Sequence, residues 1–377
     1  MRRILSALLA GVAVAGLGAC GLVDGGRNGG GGAGGGAGGD GGRFVELLGR
    51  IPDEPSYRAY VLMADVERAR ASVGATQPGD DDAALEQLFE LSLATDGSPS
   101  LLTAGLGSND VRDLDEWRQA FGFTVAEVAA GFDAGEPPED LHGVVVADIA
   151  AVGEAVRDDP DWRDQLREVD HDGSRFFAWG EEGVPDFERT GGPRPLGVGG
   201  RLLVDEDASL VVRANFDAPI RAAIDAADGA SLADDGEVRA LVTALDAAGV
   251  SSLYLTAAQS IPQPYLGAGP DVERSGVPRA ELLGGGHGIV DGEPVMLWAG
   301  LFRTESNAAA AAEVVGLALA EGVSFVTGEP LRSSVEPVSI TVEERLVVAT
   351  LRPVGDASVA WLWRAFQQRD VLYSLGP

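Results

Sequence analysis

The chain has 377 residues, and 28 basic against 59 acidic side chains give it a formal net charge of −31. All the basic residues are arginine, because the sequence contains no lysine. That composition excludes Schiff-base enzymes, Walker-type phosphate loops and Ser-x-x-Lys acylation centres. So negative a charge also opposes the phosphate contacts that nucleic-acid binding needs, and no nucleic-acid partner is expected.

The first 20 residues have the pattern of an export signal. Arg2 and Arg3 precede an uncharged, mostly apolar run over residues 4–17, which is too short to cross a bilayer as a helix. The run ends in Leu17-Gly18-Ala19-Cys20, and Cys20 is the single cysteine of the chain. Without a disulfide, the exported protein is expected to be stable through its core alone.

The segment Leu17-Gly18-Ala19-Cys20 resembles the lipobox of bacterial lipoproteins, and the chain is similar to uncharacterised lipoproteins of high-GC Gram-positive bacteria. The resemblance implies cleavage before Cys20, attachment of a diacylglycerol to its thiol and anchoring on the extracytoplasmic face of the cell membrane. Two or more acyl chains hold a protein stably on a bilayer. Residues 1–19 are then a signal peptide, and residues 20–42 are a lipidated N-terminus with a Gly-rich, disordered tether.

Residues 43–377 exceed the size at which a single core stops growing. The Pro- and Gly-rich stretch 189–200 is the best internal break, since it lacks a periodic apolar pattern. The sequence therefore predicts a first α+β half over residues 43–200 and a second over residues 201–377. A long loop is expected over residues 259–288, and the Gly-rich run around His287 reads as part of it.

Four segments share one pattern, in which a strand-like apolar run passes into an Ala-rich run with helical spacing. Each junction carries a residue type that caps helices, and these residues are Asp65, Asp148, Asp217, and Thr304 with Ser306. Turn residues between β-type runs predict hairpins over 167–179, 200–216, 288–302 and 338–351. A C-terminal helix is predicted with Val359, Leu362, Trp363 and Phe366 on its core face and Asp356 as its cap.

Together these elements predict the α+β class. We expect largely antiparallel sheets with helices packed on one face, built from duplicated strand–helix units in two halves.

Candidates for metal binding and catalysis are few. Asp170, Asp172, Ser174 and Glu181 match positions 1, 3, 5 and 12 of a calcium loop, but Arg175 stands where the loop requires glycine. A hairpin turn is the favoured interpretation. His142, His171 and His287 are the three histidines, and none pairs at a zinc-ligand spacing. No Gly-x-Ser-x-Gly elbow occurs, so the sequence predicts no metal, cofactor or catalytic residue.

Two functional classes remain. The first is a non-enzymatic envelope protein that binds a partner protein or an apolar ligand between sheet and helices. The alternative is an envelope glycan hydrolase, which would need paired carboxylates about 5 to 10 Å apart and at least one raised pKa. The lack of lysine, of a nucleophile motif and of paired histidines favours the binding protein over an enzyme.

Overall fold

The computed structural model describes residues 42–76, 81–92, 101, 104–105, 114–191, 197–257, 278–324, 327–355, 357 and 361–367. Cys20, the signal peptide and the tether lie outside these residues. The described strands are β1 (Val61–Asp65), β2 (Val128–Ala134), β3 (Leu141–Val146), β4 (Arg167–His171), β5 (Ser174–Trp179), β6 (Gly200–Asp205), β7 (Leu210–Ala214), β8 (Ser252–Ala257), β9 (Ala280–Val290), β10 (Glu293–Phe302), β11 (Val335–Glu343) and β12 (Leu346–Pro353).

The described helices are α1 (Arg43–Leu48), α2 (Pro55–Arg58), α3 (Val66–Ser72), α4 (Asp81–Ser92), α5 (Leu114–Phe121), α6 (Ile149–Asp158), α7 (Asp217–Ala227), α8 (Gly236–Ala247), α9 (Glu305–Glu321) and α10 (Trp361–Gln367). No helix in this part of the chain combines the length and the apolar character needed to cross a bilayer.

The twelve strands form one sheet in the order β11-β12-β10-β9-β8-β1-β2-β3-β7-β6-β5-β4. Every neighbouring pair is antiparallel. The α+β class with a largely antiparallel sheet is therefore confirmed. Strands β6 and β7, which begin at residue 200 and at residue 210, lie between β3 and β5, which precede them in the chain. The division into halves at that residue stays a prediction.

Helices cover both faces of the sheet, which differs from the expectation of one covered face. In β1, Val61 and Met63 belong to one apolar core, and the alternating Leu62 and Ala64 belong to a second. Successive side chains of a strand point to opposite faces, so the two cores lie on opposite sides. Helices α1, α7, α8 and α9 contribute to the first core, and α3 to α6 contribute to the second. Both faces are covered because both faces of β1 are apolar.

The four predicted strand–helix units are present as β1–α3, β3–α6, β7–α7 and β10–α9. Asp65, Asp148 and Thr304 cap their helices by accepting the backbone N–H groups of Arg68, Ala151 and Asn307. Asp217 does not cap α7, because Phe216 is the residue at the N-cap. The Asp217 carboxylate instead accepts a hydrogen bond from Nε of the fully buried Arg201 at 2.5 Å.

All four predicted hairpins are present, as β4–β5, β6–β7, β9–β10 and β11–β12. The segment that resembles a calcium loop is the β4–β5 hairpin, with Asp172 and Gly173 at φ values of 44° and 85°. The C-terminal helix is described from Trp361, and its Leu362 and Trp363 are buried. Asp356 and Val359 lie outside the described residues.

The Gly-rich run around His287 is part of strand β9, which corrects the expectation of a loop there. A Cβ atom on Gly285 would lie 2.3 Å from the ring of Tyr254, and one on Gly284 would lie 2.6 Å from Leu241. The strand needs glycine because a helix residue and an aromatic ring occupy the space that side chains would fill. Of the predicted loop, residues 259–277 lie outside the described part.

Candidate functional site

The first polar cluster lies on β2, β3 and the turn between them. The register pairs Asp133 of β2 with His142 of β3. Nδ1 of His142 lies 2.6 Å from Oδ1 of Asp133, and Nε2 lies 3.0 Å from Oδ2 of Asp140. The backbone N–H of Gly105 also donates to Asp133 at 3.0 Å. Two carboxylates therefore hold both nitrogens of one imidazole.

This arrangement favours the charged imidazolium of His142. Burial opposes protonation of the ring, but the hydrogen bonds to Asp133 and Asp140 and the charge of Asp133 outweigh it and raise the pKa of His142 to about 9. The hydrogen bond from His142 in turn lowers the pKa of Asp140. Because both ring nitrogens already donate to carboxylates, neither is available to take a proton from a substrate. The cluster is therefore arranged as an ion pair, and His142 cannot serve as its general base.

The second cluster joins the β4–β5 turn to helix α7. His171, Asp172 and Asp225 bring three ligand-type atoms within 4.8 Å of one another. Nε2 of His171 lies 2.7 Å from Oδ1 of Asp225, and Nη1 of Arg221 lies 3.2 Å from Nδ1 of His171. A guanidinium can only donate, so Nδ1 accepts a hydrogen bond from Arg221. Nε2 then carries the ring hydrogen and donates a hydrogen bond to Asp225. In this tautomer neither nitrogen of His171 offers a free lone pair to a metal ion.

Among the described residues, Asp65 is a carboxylate with a raised pKa, which is the property expected of a catalytic acid. Burial raises its pKa, against the opposing hydrogen bond and charge of Arg68. Oδ1 accepts the backbone N–H of Arg68 at 2.8 Å, and Oδ2 lies 3.3 Å from Nε of the same residue. The carboxylate is 8 % exposed and caps α3. Both of its oxygens are therefore engaged in holding the helix.

The third histidine, His287, is fully buried on β9, where its backbone carbonyl accepts hydrogen bonds from the N–H and the hydroxyl group of Ser251.

A depression of about 190 Å³ lies on the face of the sheet that carries α5. Three carboxylates line it, those of Glu116, Asp159 and Asp161. Ligand pockets usually measure about 300 to 1,000 Å³. Trp162 also lines it, but this side chain is 1 % exposed and stacks on Trp179. Its ring face is therefore turned to the core.

The edge strand β11 carries a different kind of surface. Val338 and Val342 are 52 % and 42 % exposed, and Leu317 on the adjoining α9 is 56 % exposed. Helix α9 packs on β11, where a Cβ atom on Gly316 would lie 3.5 Å from Ile340. We call Leu317, Val338, Ile340 and Val342 the β11 strip. Contiguous exposed apolar groups on a folded protein mark sites where another molecule binds.

Glutamates surround this strip. On α9, Glu313 and Glu321 lie four residues to either side of Leu317, so the three share one exposed helix face. On β11, Glu336 and Glu343 are exposed near the two ends of the strand. Arg352 lies 3.5 Å from Glu336. The strip is therefore apolar at its centre and mostly acidic at its rim.

No protein-family model matches the sequence, and no curated protein matches it. A solved structure, crystal form I of TP0453, is similar with a TM-score of 0.38 and 8 % sequence identity, over 85 % of this chain and 96 % of that chain. A TM-score this low does not establish a shared fold.

Neither the His142 cluster nor the β11 strip was predicted from the sequence. The cluster could have been found by pairing β2 with β3 across their turn, since that register sets Asp133 opposite His142. The strip could not have been found in this way, because its exposure depends on β11 being at the edge of the sheet. The lipidation site at Cys20 lies outside the described residues and stays a prediction.

Proposed function

We propose that this protein is a lipoprotein held at the extracytoplasmic face of the cell membrane by the lipid on Cys20, and that its folded part binds a partner protein at its surface. The anchor is inferred from the charged start, the short apolar run and the lipobox resemblance. The tether over residues 25–42 would let the folded part reach about 25 Å from the membrane.

The β11 strip is the observation that carries the binding role. In the described residues both faces of the sheet are covered by packed side chains, which leaves little room for an apolar ligand between sheet and helices. The clusters at His142, His171 and Asp65 are engaged in internal hydrogen bonds. Unlike them, Leu317, Val338 and Val342 of the strip keep about half of their surface exposed to solvent.

The alternative, an envelope glycan hydrolase, would place its paired carboxylates in the depression lined by Glu116, Asp159 and Asp161. Its small volume and the buried ring of Trp162 weigh against a sugar-binding cleft there. Asp159 also accepts the backbone N–H of Asp161 at 2.7 Å. These contacts support the binding protein over the hydrolase.

Fractionation of the native host tests the anchor. Wild-type protein should remain with the membranes after a carbonate wash, and Cys20→Ser should move into the aqueous fraction. A membrane-bound Cys20→Ser variant would contradict the lipid anchor.

Native mass spectrometry and a turnover assay on the detergent-extracted full chain test the binding role. We expect the mass of the lipidated chain without a further ligand, and no release of sugar from envelope polymers. Co-purification of an apolar ligand, or turnover lost in Glu116→Gln, would overturn the proposal.

A further inference from the structure

The two edges of the sheet have opposite character. Four of the five residues of β4 at one edge are charged or titratable. Glu168 lies 3.0 Å from Arg157 and 2.9 Å from Arg175, so a network of ion pairs covers this edge. Charged side chains on a short edge strand prevent pairing with another chain. The β4 edge is protected in this way.

The β11 edge lacks this protection along most of its length. The strand has nine residues, and five of them are β-branched, namely Val335, Val338, Ile340, Thr341 and Val342. Among the described residues it pairs on one side only, with β12. Pro337 and the register shift between Pro337 and Ser339 disrupt the ladder near its start. The regular part that can accept another strand is therefore residues 339–343.

The turn of the β11–β12 hairpin determines which backbone groups of residues 339–343 face away from β12. Glu343 and Leu346 flank the two-residue connection, and residues in that position exchange hydrogen bonds with each other. Alternate residues of an antiparallel strand direct both N–H and C=O to the same side. It follows that Ile340 and Val342 direct their backbone groups away from β12, toward the open edge.

From this edge and its acidic rim we propose that β11 binds an extended segment of the partner protein as an additional strand, with β-branched side chains at the segment's centre and arginine or lysine at its ends. This inference rests on the proposed function and names the chemistry of the partner. The outward backbone groups of Ile340 and Val342 would pair with the segment, as in strand addition to other sheet edges. Glu343 and the glutamates on α9 would attract its cationic ends.

Charge argues for a cationic partner and against a second copy of this chain. Pairing two β11 strands would bring two acidic rims together between two strongly acidic chains, since the whole sequence has a formal net charge of −31. Like charges on facing strands are destabilising, and the overall repulsion slows association. A cationic segment instead reduces the charge at this edge.

Synthetic peptides test the proposal with the mature lipidated protein in detergent micelles. The probe RVTVTVR has the proposed chemistry, EVTVTVE reverses its end charges, and a third peptide is RVTVTVR with alternate backbone nitrogens methylated. Fluorescence anisotropy should give RVTVTVR a Kd about ten-fold or more below those of the other two. The advantage over EVTVTVE should shrink as ionic strength rises from about 0.05 to 0.5 M.

Matched variants locate the binding edge. Val342→Pro removes an outward N–H from β11, and Asp170→Pro makes the same change at the same distance from the turn in β4. We expect the first to raise the Kd of RVTVTVR about ten-fold or more and the second to leave it within about two-fold. Thermal unfolding checks that both variants fold. Glu343→Arg, which leaves the backbone intact, should also raise the Kd of RVTVTVR. This variant replaces Val342→Pro in the test if Val342→Pro does not fold.

Equal affinity for RVTVTVR and EVTVTVE, no binding of RVTVTVR, or unchanged affinity in both β11 variants would overturn the inference. The proposed function can fail separately, through loss of the membrane anchor or through a ligand or turnover in the assays described above. A protein partner that contacts another part of the surface would contradict strand addition at β11, but it would leave the proposed binding function intact.

Discussion

Nδ1 of His142 lies 2.6 Å from Oδ1 of Asp133, which faces it across the β2–β3 pair. This contact and the second carboxylate, Asp140, make His142 a site where folding and protonation are coupled. The chain has three histidines and no lysine, so few other side chains titrate between pH 6.5 and 9.

The free energy of unfolding should fall as pH rises through this window. His142 has a pKa of about 9 when folded and an ordinary value of 6.5, so its stabilisation is complete below pH 6.5 and is lost as pH passes 9. Linkage gives a loss of about 2 kcal/mol once solvent screening of the partly exposed ring is allowed for. Denaturant melts at intervals from pH 6 to about 9.5 measure it. His142→Gln, which keeps a neutral donor to Asp133, should flatten the profile, and an unchanged slope in that variant would refute the assignment.

Asp217→Asn should destabilise the protein by about 3 kcal/mol, because it leaves the guanidinium of Arg201 buried without its closest countercharge. Burial opposes ionisation of Asp217, but the hydrogen bond and charge of Arg201 outweigh it and lower the pKa of Asp217. Asp164→Asn is the matched control, because it breaks the exposed pair with Arg189 at 2.8 Å and should cost much less than the loss of the Arg201 pair. Equal losses in urea melts of the two variants would show that the Arg201 pair contributes no more than a surface pair.

Local pattern predicted the elements of this fold better than their arrangement. The four strand–helix units and four hairpins follow from apolar spacing and turn residues close together in sequence. The insertion of β6 and β7 between β3 and β5 has no such local signal, because it depends on pairing between distant strands. The same limit explains the Asp217 error, since its partner Arg201 stands 16 residues earlier on another element. The sequence does not indicate the partners of His142, because Asp133 comes to face it only in the register of β2 and β3.

Gly285→Ala should destabilise the protein by about 1 to 3 kcal/mol, because the added methyl group would overlap the ring of Tyr254. That ring is fully buried and packs 4.5 Å from the ring of Phe366, centroid to centroid. Gly316→Ala in α9 is the control, since its Cβ would meet Ile340 at an ordinary 3.5 Å and alanine favours the helix. Thermal unfolding should rank Gly316→Ala at or above wild type. A Gly285→Ala variant as stable as wild type would show that β9 does not require glycine there.

Metal removal should leave stability unchanged. Arg221 donates to Nδ1 of His171, and the other nitrogen donates to Asp225, so the cluster is complete without an ion. The melting temperature of the full chain should be the same in EDTA, in added zinc and in added calcium, to within about 1 °C. Stabilisation by zinc that disappears in His171→Gln would contradict the tautomer argued above.

Site-specific photo-crosslinking in the native host tests most directly whether the protein works by binding a partner at the β11 strip. A photoreactive residue is placed in turn at each of the strongly exposed apolar positions, Val73, Val184, Phe187, Leu317, Val323, Val338 and Val342. We expect one discrete protein adduct from Leu317, Val338 and Val342. The partner protein identified in it should form the same adduct when both proteins are purified. The absence of a protein adduct at every position, or adducts confined to Val73, Val184 and Phe187, would contradict this expectation.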